Sequence, residues 1–470
     1  MAQLRAMGDN NAMKEFRCLA GAGRRLALAL AFGGLLALAA VCRGAETPAS
    51  TRQLVRARVD QEYPSLFELY RHLHAHPELS FQETQSAARV AEELRLAGCE
   101  VTTGLGQHGV VGLLRNGRGP AVLVRADMDA LPVREQTGLH YASTALGKDA
   151  RGNEVPVMHA CGHDIHMTCL VGAARVLAQL KDQWHGTLVF IGQPAEEALG
   201  GARAMLADGL FKRFPRPDFC LALHDSAELA AGTLGYTPGY AGANVDSVDI
   251  LVHGLGGHGA YPHKTRDPVV LAAQIILGLQ TIVSREVPPG EPAVVTVGAI
   301  HGGTRPNIIP DQVRLQLTVR SYTEEVRQQT LAAIKRIARG QALAAGLPED
   351  RLPEVKVEED FTPALYNDPA LTAKVAGVFK SWFGETNVFL KKPTMGGEDF
   401  GEFGRTAEKV PVCMFSLGGV NPETLRQSEQ TGQPLPSLHS PLWAPVPEPT
   451  IKTGVTAMTA AVLELMARAE

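Results

Sequence analysis

The feature that most constrains the fold of this chain is a set of four short apolar runs, with an Ala-rich helical run among them. The helical run covers residues 168–180, and the apolar runs are Val110–Leu114, Ala121–Val124, Thr187–Ile191 and Phe219–Leu223. Apolar runs this short are typical of buried strands. Strands that alternate with helices predict an α/β fold, with a mostly parallel sheet in a three-layer domain.

Side chains suited to chemistry follow three of these strands. Asp127 and Asp129 come after the second run, Glu196 and Glu197 after the third, and His224 directly after the fourth. Open α/β sheets bind ligands at the carboxyl ends of their strands. We therefore expect these residues to share one site at that edge of the sheet.

The length of 470 residues favours two domains, because single cores rarely grow beyond about 250–300 residues. From about residue 244 the pattern changes to strand, helix, two strands, helix, strand, the order of a ferredoxin-like α+β unit. The predicted boundaries are 50–242 and 361–470 for the α/β domain and 243–360 for the inserted domain. Residues 421–437, rich in Gln, Pro, Ser and Thr, are predicted to form a surface loop.

The net charge of −4, without a long basic run, gives no electrostatic reason to expect nucleic acid as a partner. Basic residues precede an apolar run at 26–41, and small and polar residues follow it. This pattern predicts a signal peptide over residues 1–45 and an exported, periplasmic protein. There are two alternatives in which the protein is attached to a membrane: the apolar segment is retained as an anchor, or Cys42 carries a lipid.

The segment His159–His166 suggests a metal site. Cys161 and His163 can reach one ion or two neighbouring ions, and Glu197, His224 and His439 can complete the set. A thiolate among such ligands suits zinc, with cobalt, nickel or manganese as further candidates. Five ligands are too many for one tetrahedral ion, so the sequence favours two divalent metal ions.

Two further patterns have a functional and an ordinary interpretation. With Glu197 on a metal, Glu196 can act as the base that takes a proton from water; the ordinary alternative is a solvated acidic turn. Asp129 can orient a metal-bound imidazole or cap a turn. His258, in a Gly-rich loop, can stabilise an oxyanion if the loop closes, or it is solvated in a plain turn.

The motifs in this order resemble the hippurate hydrolase and indoleacetyl-amino-acid hydrolase family, an amidohydrolase branch of the two-metal aminoacylase and carboxypeptidase superfamily. The motifs that carry the resemblance are Arg125–Pro132, His159–His166, Gln193–Glu197, Gly256–His263, Arg305–Pro310, Met395–Phe400 and Leu438–Pro441. The resemblance runs from about residue 60 to the C-terminus.

The resemblance implies roles for individual residues. Cys161, His163, Glu197, His224 and His439 match the metal ligands, with Cys161 in place of a bridging aspartate of sister branches, and Glu196 matches the general base. His258 matches a histidine of the lid domain that serves the partner subunit's site, which implies a homodimer joined through a lid and dimerisation domain. The matched substrate-binding residues are Asn307, Arg320, Gly396 and Gly397.

The expected function is metal-dependent hydrolysis of the amide bond of N-acyl-amino acids, such as hippurate-like or N-acetylated substrates. The nearest alternative is a metallo-dipeptidase or aminopeptidase that uses the same site. A non-catalytic dimeric binding protein and a structural zinc protein are alternatives of other classes. In each enzymatic interpretation the substrate is a small molecule.

Overall fold

A mixed eight-stranded sheet forms the centre of the computed structural model, which describes residues 50–467. The predicted signal peptide lies outside the described residues. The strands are β1 (Glu100–Leu105), β2 (Gly109–Asn116), β3 (Ala121–Asp127), β4 (Leu146–Lys148), β5 (Glu154–Pro156), β6 (Gly186–Gln193), β7 (Phe219–Ala230), β8 (Leu234–Tyr236), β9 (Gly239–Tyr240), β10 (Asn244–His253), β11 (Gly257–His258), β12 (Ala293–His301), β13 (Ile308–Ile309), β14 (Gln312–Ser321), β15 (Glu354–Val357), β16 (Tyr366–Asn367), β17 (Val388–Leu390) and β18 (Val412–Val420). The helices are α1 (Thr51–Ala75), α2 (Thr84–Leu96), α3 (His163–Gln179), α4 (Gly201–Ala207), α5 (Leu210–Arg213), α6 (Pro268–Thr281), α7 (Glu324–Ala344), α8 (Pro369–Phe383), α9 (Glu402–Arg405), α10 (Pro422–Thr431) and α11 (Pro447–Leu465).

The large sheet is parallel at its centre, and β2 and β8, the strands on either side of this centre, pair with it in antiparallel orientation. Its strand order is β1-β2-β6-β3-β7-β18-β8-β17, and the four central strands β6, β3, β7 and β18 run parallel. The four apolar runs of the sequence lie in β2, β3, β6 and β7. This confirms the predicted α/β fold with a mostly parallel sheet.

Alternate residues of the central strands face two separate layers of helices. Val122 and Val124 of β3 belong to a core shared with α1, α2, α3, α8 and α11. Leu123 belongs to a second core, shared with α4, α5 and α9. Because side chains of a strand alternate between faces, a strand that is apolar at every position needs cover on both sides, which is the three-layer arrangement.

Residues 244–357 form a second, antiparallel sheet with its own core. Its order is β12-β14-β10-β15, and α6 and α7 contribute their apolar residues to the same core. The element order is that of a ferredoxin-like unit, as the strand and helix pattern predicts. The stretch Pro268–Glu286 is long and apolar enough to cross a membrane by length and composition alone, and a third of its 18-residue apolar window is buried.

The prediction of a surface loop over residues 421–437 is wrong for its first part. Residues Pro422–Thr431 form α10, which Asn421 caps by accepting hydrogen bonds from the amides of Glu423 and Thr424. Proline at the first helical position and asparagine before it are a helix-start signal. Leu425 of α10 packs against a small apolar cluster that contains Val420 and Trp443. Leu425 and Ser428 of this helix also line the cavity of the site described next.

Candidate active site

The five predicted metal ligands come together at the carboxyl ends of the central strands. Glu197 follows β6 and His224 lies in β7, while Cys161 and His163 lie at the start of α3. Sγ of Cys161 is 3.6 Å from Nε2 of His224, and Nε2 of His439 is 3.4 Å from Oε1 of Glu197. Nε2 of His163 is 3.9 Å from the same Glu197 oxygen, which closes the group.

The ligand atoms form two sets of three that share Cys161. One set is Cys161, His163 and His224, the other is Cys161, Glu197 and His439, and the atoms within each set lie within 4.8 Å of one another. Nε2 of His163 and Oε1 of Glu197 are buried without a hydrogen-bond partner. Buried polar atoms are nearly always satisfied, so these two unpartnered atoms fit ligands of bound cations, one in each set, and Cys161 could contribute to both sets.

Backbone hydrogen bonds orient two of the imidazoles. His163 donates from Nδ1 to the carbonyl of Asp129 at 2.8 Å, and His224 donates from Nδ1 to the carbonyl of Asp225 at 2.8 Å. Each bond fixes the tautomer that leaves Nε2 with a free lone pair. Gly162, between Cys161 and His163, has φ 74°, and a Cβ there would lie 2.5 Å from the Asp225 carboxylate.

Asp129 holds the acidic doublet in place. Its carboxylate accepts hydrogen bonds from the amides of Glu196 and Glu197, both at 3.0 Å, and from the hydroxyl of Ser80 at 2.6 Å. Burial alone would raise the pKa of Asp129, but hydrogen bonds, of which the one with His163 has the largest effect, lower this pKa instead. The predicted contact with an imidazole is made chiefly by the backbone carbonyl of Asp129, while the carboxylate positions the peptide groups of the doublet.

Glu196 lies beside the ligand sets as an acid–base group should. It is 5% exposed, and its Oε2 is 3.9 Å from Nε2 of His163. Burial and then the charge of Glu398 raise its pKa well above the usual range, against the opposing effect of Arg125. A glutamate that takes up a proton readily is suited to act as a base and then as an acid near neutral pH.

A buried ion cluster behind Glu196 was not predicted from the sequence. Arg125 is fully buried and contacts Asp127 at 2.7 Å, Glu398 at 3.0 Å and Asp399 at 3.3 Å. Burial disfavours the charged guanidinium, but the three carboxylates raise the pKa of Arg125 further and keep it charged. The motifs that contain these residues drew attention to Asp127 and to the glycines before Glu398, but nothing in the sequence pairs positions this far apart.

A cavity of about 940 Å³ opens over the ligands. Arg320, Gly396 and Gly397, predicted to bind substrate, line the cavity together with Glu196 and four of the five ligands. Arg320 comes from the inserted unit and donates a hydrogen bond to the carbonyl of Met395 at 3.0 Å. These predicted substrate-binding residues therefore share one cavity with the predicted ligands.

His258 and Asn307 lie elsewhere in the described chain. Both are exposed; His258 lies in β11 and Asn307 directly precedes β13, the antiparallel partner of β11, and the amide of Gly259 donates to the carbonyl of Asn307 at 2.9 Å. The His258 ring accepts a hydrogen bond from the amide of Ala260 at 3.0 Å. Neither residue lines the cavity of its own chain.

A buried carboxylate next to ligand sets for two cations is the arrangement of a two-metal hydrolase. The sequence profile of Peptidase family M20/M25/M40 matches residues 123–431, and the chain belongs to this family. The resemblance inferred from the motifs is thereby confirmed.

Individual relatives agree with this assignment. The chain is 37% identical to thermostable carboxypeptidase 1 of Saccharolobus solfataricus over 360 residues, which are 76% of this chain and 86% of that protein. It is 40% identical to hippurate hydrolase of Campylobacter jejuni over 341 residues, 72% and 84% of the two chains. The crystal structure of the Bacillus subtilis YXEP protein, a dinuclear metal-binding peptidase from the M20 family, matches with a TM-score of 0.70 at 28% identity and covers 87% and 99% of the two chains.

Proposed function

We propose that this protein is a metal-dependent amidohydrolase that cleaves the amide bond of N-acyl-amino acids. The observation that carries the proposal is the position of Glu196. Its side chain lines the cavity, and its Oε2 lies 3.9 Å from Nε2 of the predicted metal ligand His163. The relative named hippurate hydrolase, 40% identical to this chain, supports an N-acyl-amino acid as substrate.

The residues of the chain supply ligands and proton transfer. Cys161, His163, Glu197, His224 and His439 would hold two divalent ions, among which zinc, manganese, cobalt and nickel suit the donor set. Bound ions would polarise the scissile carbonyl and make an attacking water more acidic. Glu196 accepts the proton of that water and donates it to the leaving amine nitrogen, so that one carboxyl serves both steps.

Arg320 binds the carboxylate of the amino acid in this proposal. It is half-buried, belongs to the inserted unit and lines the same cavity as the ligands. A guanidinium recognises a carboxylate through two parallel hydrogen bonds. Gly396 and Gly397 line the same wall, and a Cβ at Gly397 would lie 2.6 Å from Cγ2 of Val245, so a side chain there would push this wall apart.

A homodimer in which His258 serves the partner's site is also part of the proposal. The outward face of α6 exposes Val270 and Leu277, 54% and 72% accessible, and β12 is an edge strand with Ile300 56% exposed. An apolar helix face beside an open sheet edge is suited to pair with a second copy of the chain. Such a dimer would cover this surface and leave the exposed His258 available to the other subunit.

Mixing two inactive variants tests this arrangement. If His258 acts in the partner's site, a mixed dimer of Glu196→Gln and His258→Ala chains has one site with both residues intact. Activity should therefore return on mixing, towards a quarter of the wild-type value. A monomer in sedimentation analysis, or no recovery in proven mixed dimers, would refute the in-trans role.

We also propose that the protein is exported to the periplasm, on the strength of the basic and apolar pattern before residue 45. Expressed from its full sequence in a Gram-negative host, it should appear in the periplasmic fraction with a shortened N-terminus. An intact N-terminus in the membrane fraction would instead indicate a retained anchor, and an added lipid mass on Cys42 would indicate a lipoprotein.

The main experiment measures amino-acid release from N-acyl-amino acids and from matched free dipeptides. The protein is stripped with a chelator and reloaded with zinc, manganese, cobalt or nickel. We expect cleavage of N-acyl substrates that is lost on stripping and restored on reloading. Cleavage of free dipeptides alone would favour the peptidase alternative, and bound metal without any cleavage would favour a binding protein.

A further inference from the structure

We propose that Lys391 binds a second carboxylate of the substrate, so that the preferred substrates are N-acyl-amino acids with two carboxylates. This inference rests on the proposed amidohydrolase function and specifies its substrate class. One carboxylate belongs to the amino acid and pairs with Arg320. The other, carried by the acyl group or by the amino-acid side chain, reaches Lys391.

Lys391 lies in the same cavity as the metal ligands and close to one of them along the sheet. It directly follows β17, and its Nζ donates a hydrogen bond at 3.3 Å to the buried hydroxyl of Ser226. Ser226 is two residues beyond His224 in β7, and two strand residues span about 6.6 Å. The ammonium is therefore within the length of a small substrate from the scissile bond.

The surrounding backbone holds the lysine side chain in this position. A Cβ at Gly235 of β8 would lie 2.7 Å from Cδ of Lys391, so the lysine stem occupies the space that the glycine leaves open. The amide of Lys391 donates to the carbonyl of Tyr236 at 2.9 Å. The side chain is only 19% exposed, unlike a lysine that extends freely into solvent.

The carboxylate that pairs with Lys391 among the described residues is a weak partner. Oε2 of Glu228 is 3.7 Å from Nζ, and the Glu228 side chain is 79% exposed. Ion pairs with such an exposed member contribute little, because solvent screens them and a long side chain must be ordered. A substrate carboxylate can therefore displace Glu228 at small cost.

The charges of the cavity match a substrate with two carboxylates. The arginine and lysine side chains of its lining are Arg320, Lys391 and Lys392. Of the acidic lining residues other than Glu196 and Glu197, Asp225 accepts a hydrogen bond from Trp443, Glu398 pairs with the buried Arg125, and Glu228 is exposed. A substrate with a single carboxylate would satisfy Arg320 and leave Lys391 with the Ser226 hydroxyl and the exposed Glu228 carboxylate. A partly buried ammonium is better stabilised by an anionic acceptor than by a hydroxyl.

The test compares matched pairs of substrates that differ in one charge. N-acetylglutamate is paired with N-acetylglutamine, and N-succinylalanine with N-butyrylalanine. For each pair, the ratio of kcat/KM for the charged and neutral member is measured with the metal-loaded full chain. We expect a ratio well above one for at least one pair, and the pair that shows it identifies which end of the substrate carries the second carboxylate.

Lys391→Met keeps the length of the stem and removes the charge. A lost charge-assisted hydrogen bond predicts a fall in that ratio of about 10- to 100-fold. Lys391→Arg should restore part of the ratio, and Glu228→Gln, which removes the competing carboxylate, should maintain or raise it. Metal content and thermal stability, measured for every variant, separate a local effect from misfolding.

Three results would overturn the inference. These are a wild-type ratio near one for both pairs, a ratio that Lys391→Met changes less than threefold, and a ratio that Glu228→Gln lowers as strongly as Lys391→Met. Cleavage of neutral members with any of these results leaves the proposed function intact. A metal-loaded wild-type chain that cleaves none of the four substrates would contradict the proposed function itself.

Discussion

His74 provides a quantitative prediction about the pH dependence of stability. It lies in α1, is 1% exposed, and its Nδ1 and Nε2 contact Asp164 at 2.7 Å and Glu135 at 3.0 Å. Both carboxylate side chains are themselves fully buried. Burial alone would lower the pKa of His74, but hydrogen bonds and charges from the two carboxylates raise it to about 9.

The raised pKa sets both the sign and the size of the effect. The native protein keeps a proton on His74 that the unfolded chain releases above pH 6.5, so the stabilisation is complete below pH 6.5 and is lost as the pH rises to about 9. The difference between the two pKa values corresponds to about 3 kcal/mol, with a slope near 1.4 kcal/mol per pH unit between them.

Urea unfolding of wild type and His74→Gln, both chelator-stripped and reduced, measures this contribution between pH 6 and 9.5. Glutamine keeps hydrogen-bonding capacity but does not titrate, so ionisable groups that do not contact His74 cancel in the difference. We expect the stability advantage of the wild type to shrink by about 3 kcal/mol across this range. A difference that is constant with pH would show that His74 is not protonated in the native protein, and the reasoning would fail.

Three further substitutions test the architecture of the site. Asp129→Asn should reduce kcat sharply and cost about 1–3 kcal/mol in urea unfolding, because one amide of the acidic doublet loses its acceptor; unchanged kcat would contradict this positioning role. Gly162→Ala should weaken zinc binding in calorimetry and cost at least about 1 kcal/mol, given φ 74° and the overlap with Asp225; wild-type affinity would show that the turn relaxes freely. Arg125→Met should lower the free energy of unfolding by about 3–5 kcal/mol, because it leaves three buried carboxylates without their cation. A decrease below about 1 kcal/mol would mean that water or protonation stabilises these carboxylates in the variant.

The position of the site followed from the sequence because the strands themselves were evident. Glu196 and His224 each follow or end an apolar run, and parallel neighbours bring the ends of such runs to one edge of the sheet. Cys161 and His163 are close in sequence, so one helix start positions both. Local pattern and one rule of topology therefore suffice to bring Cys161, His163, Glu197 and His224 together, whereas His439 lies in the loop between α10 and α11.

Features that depend on distant contacts did not follow from the sequence. Arg125 meets Glu398 across 273 positions, and neither residue carries a local sign of that pairing. Lys391 resembles any surface lysine until β8 and β7 are placed beside it. The sequence contains a helix-start signal at Asn421. The segment is nevertheless polar, because α10 buries little apolar surface, and a polar segment of this kind is typical of a loop.

The most direct test of the account is turnover and metal content of Glu196→Gln, with Glu197→Gln as the matched neighbour, on an N-acyl-amino acid that the wild type cleaves. The account predicts that Glu196→Gln binds two metal ions per chain, as the wild type does, and loses turnover by several orders of magnitude. Glu197→Gln should lose metal as well as activity. A Glu196→Gln variant that retains substantial turnover would contradict the assignment of the base, and with it the proposed mechanism.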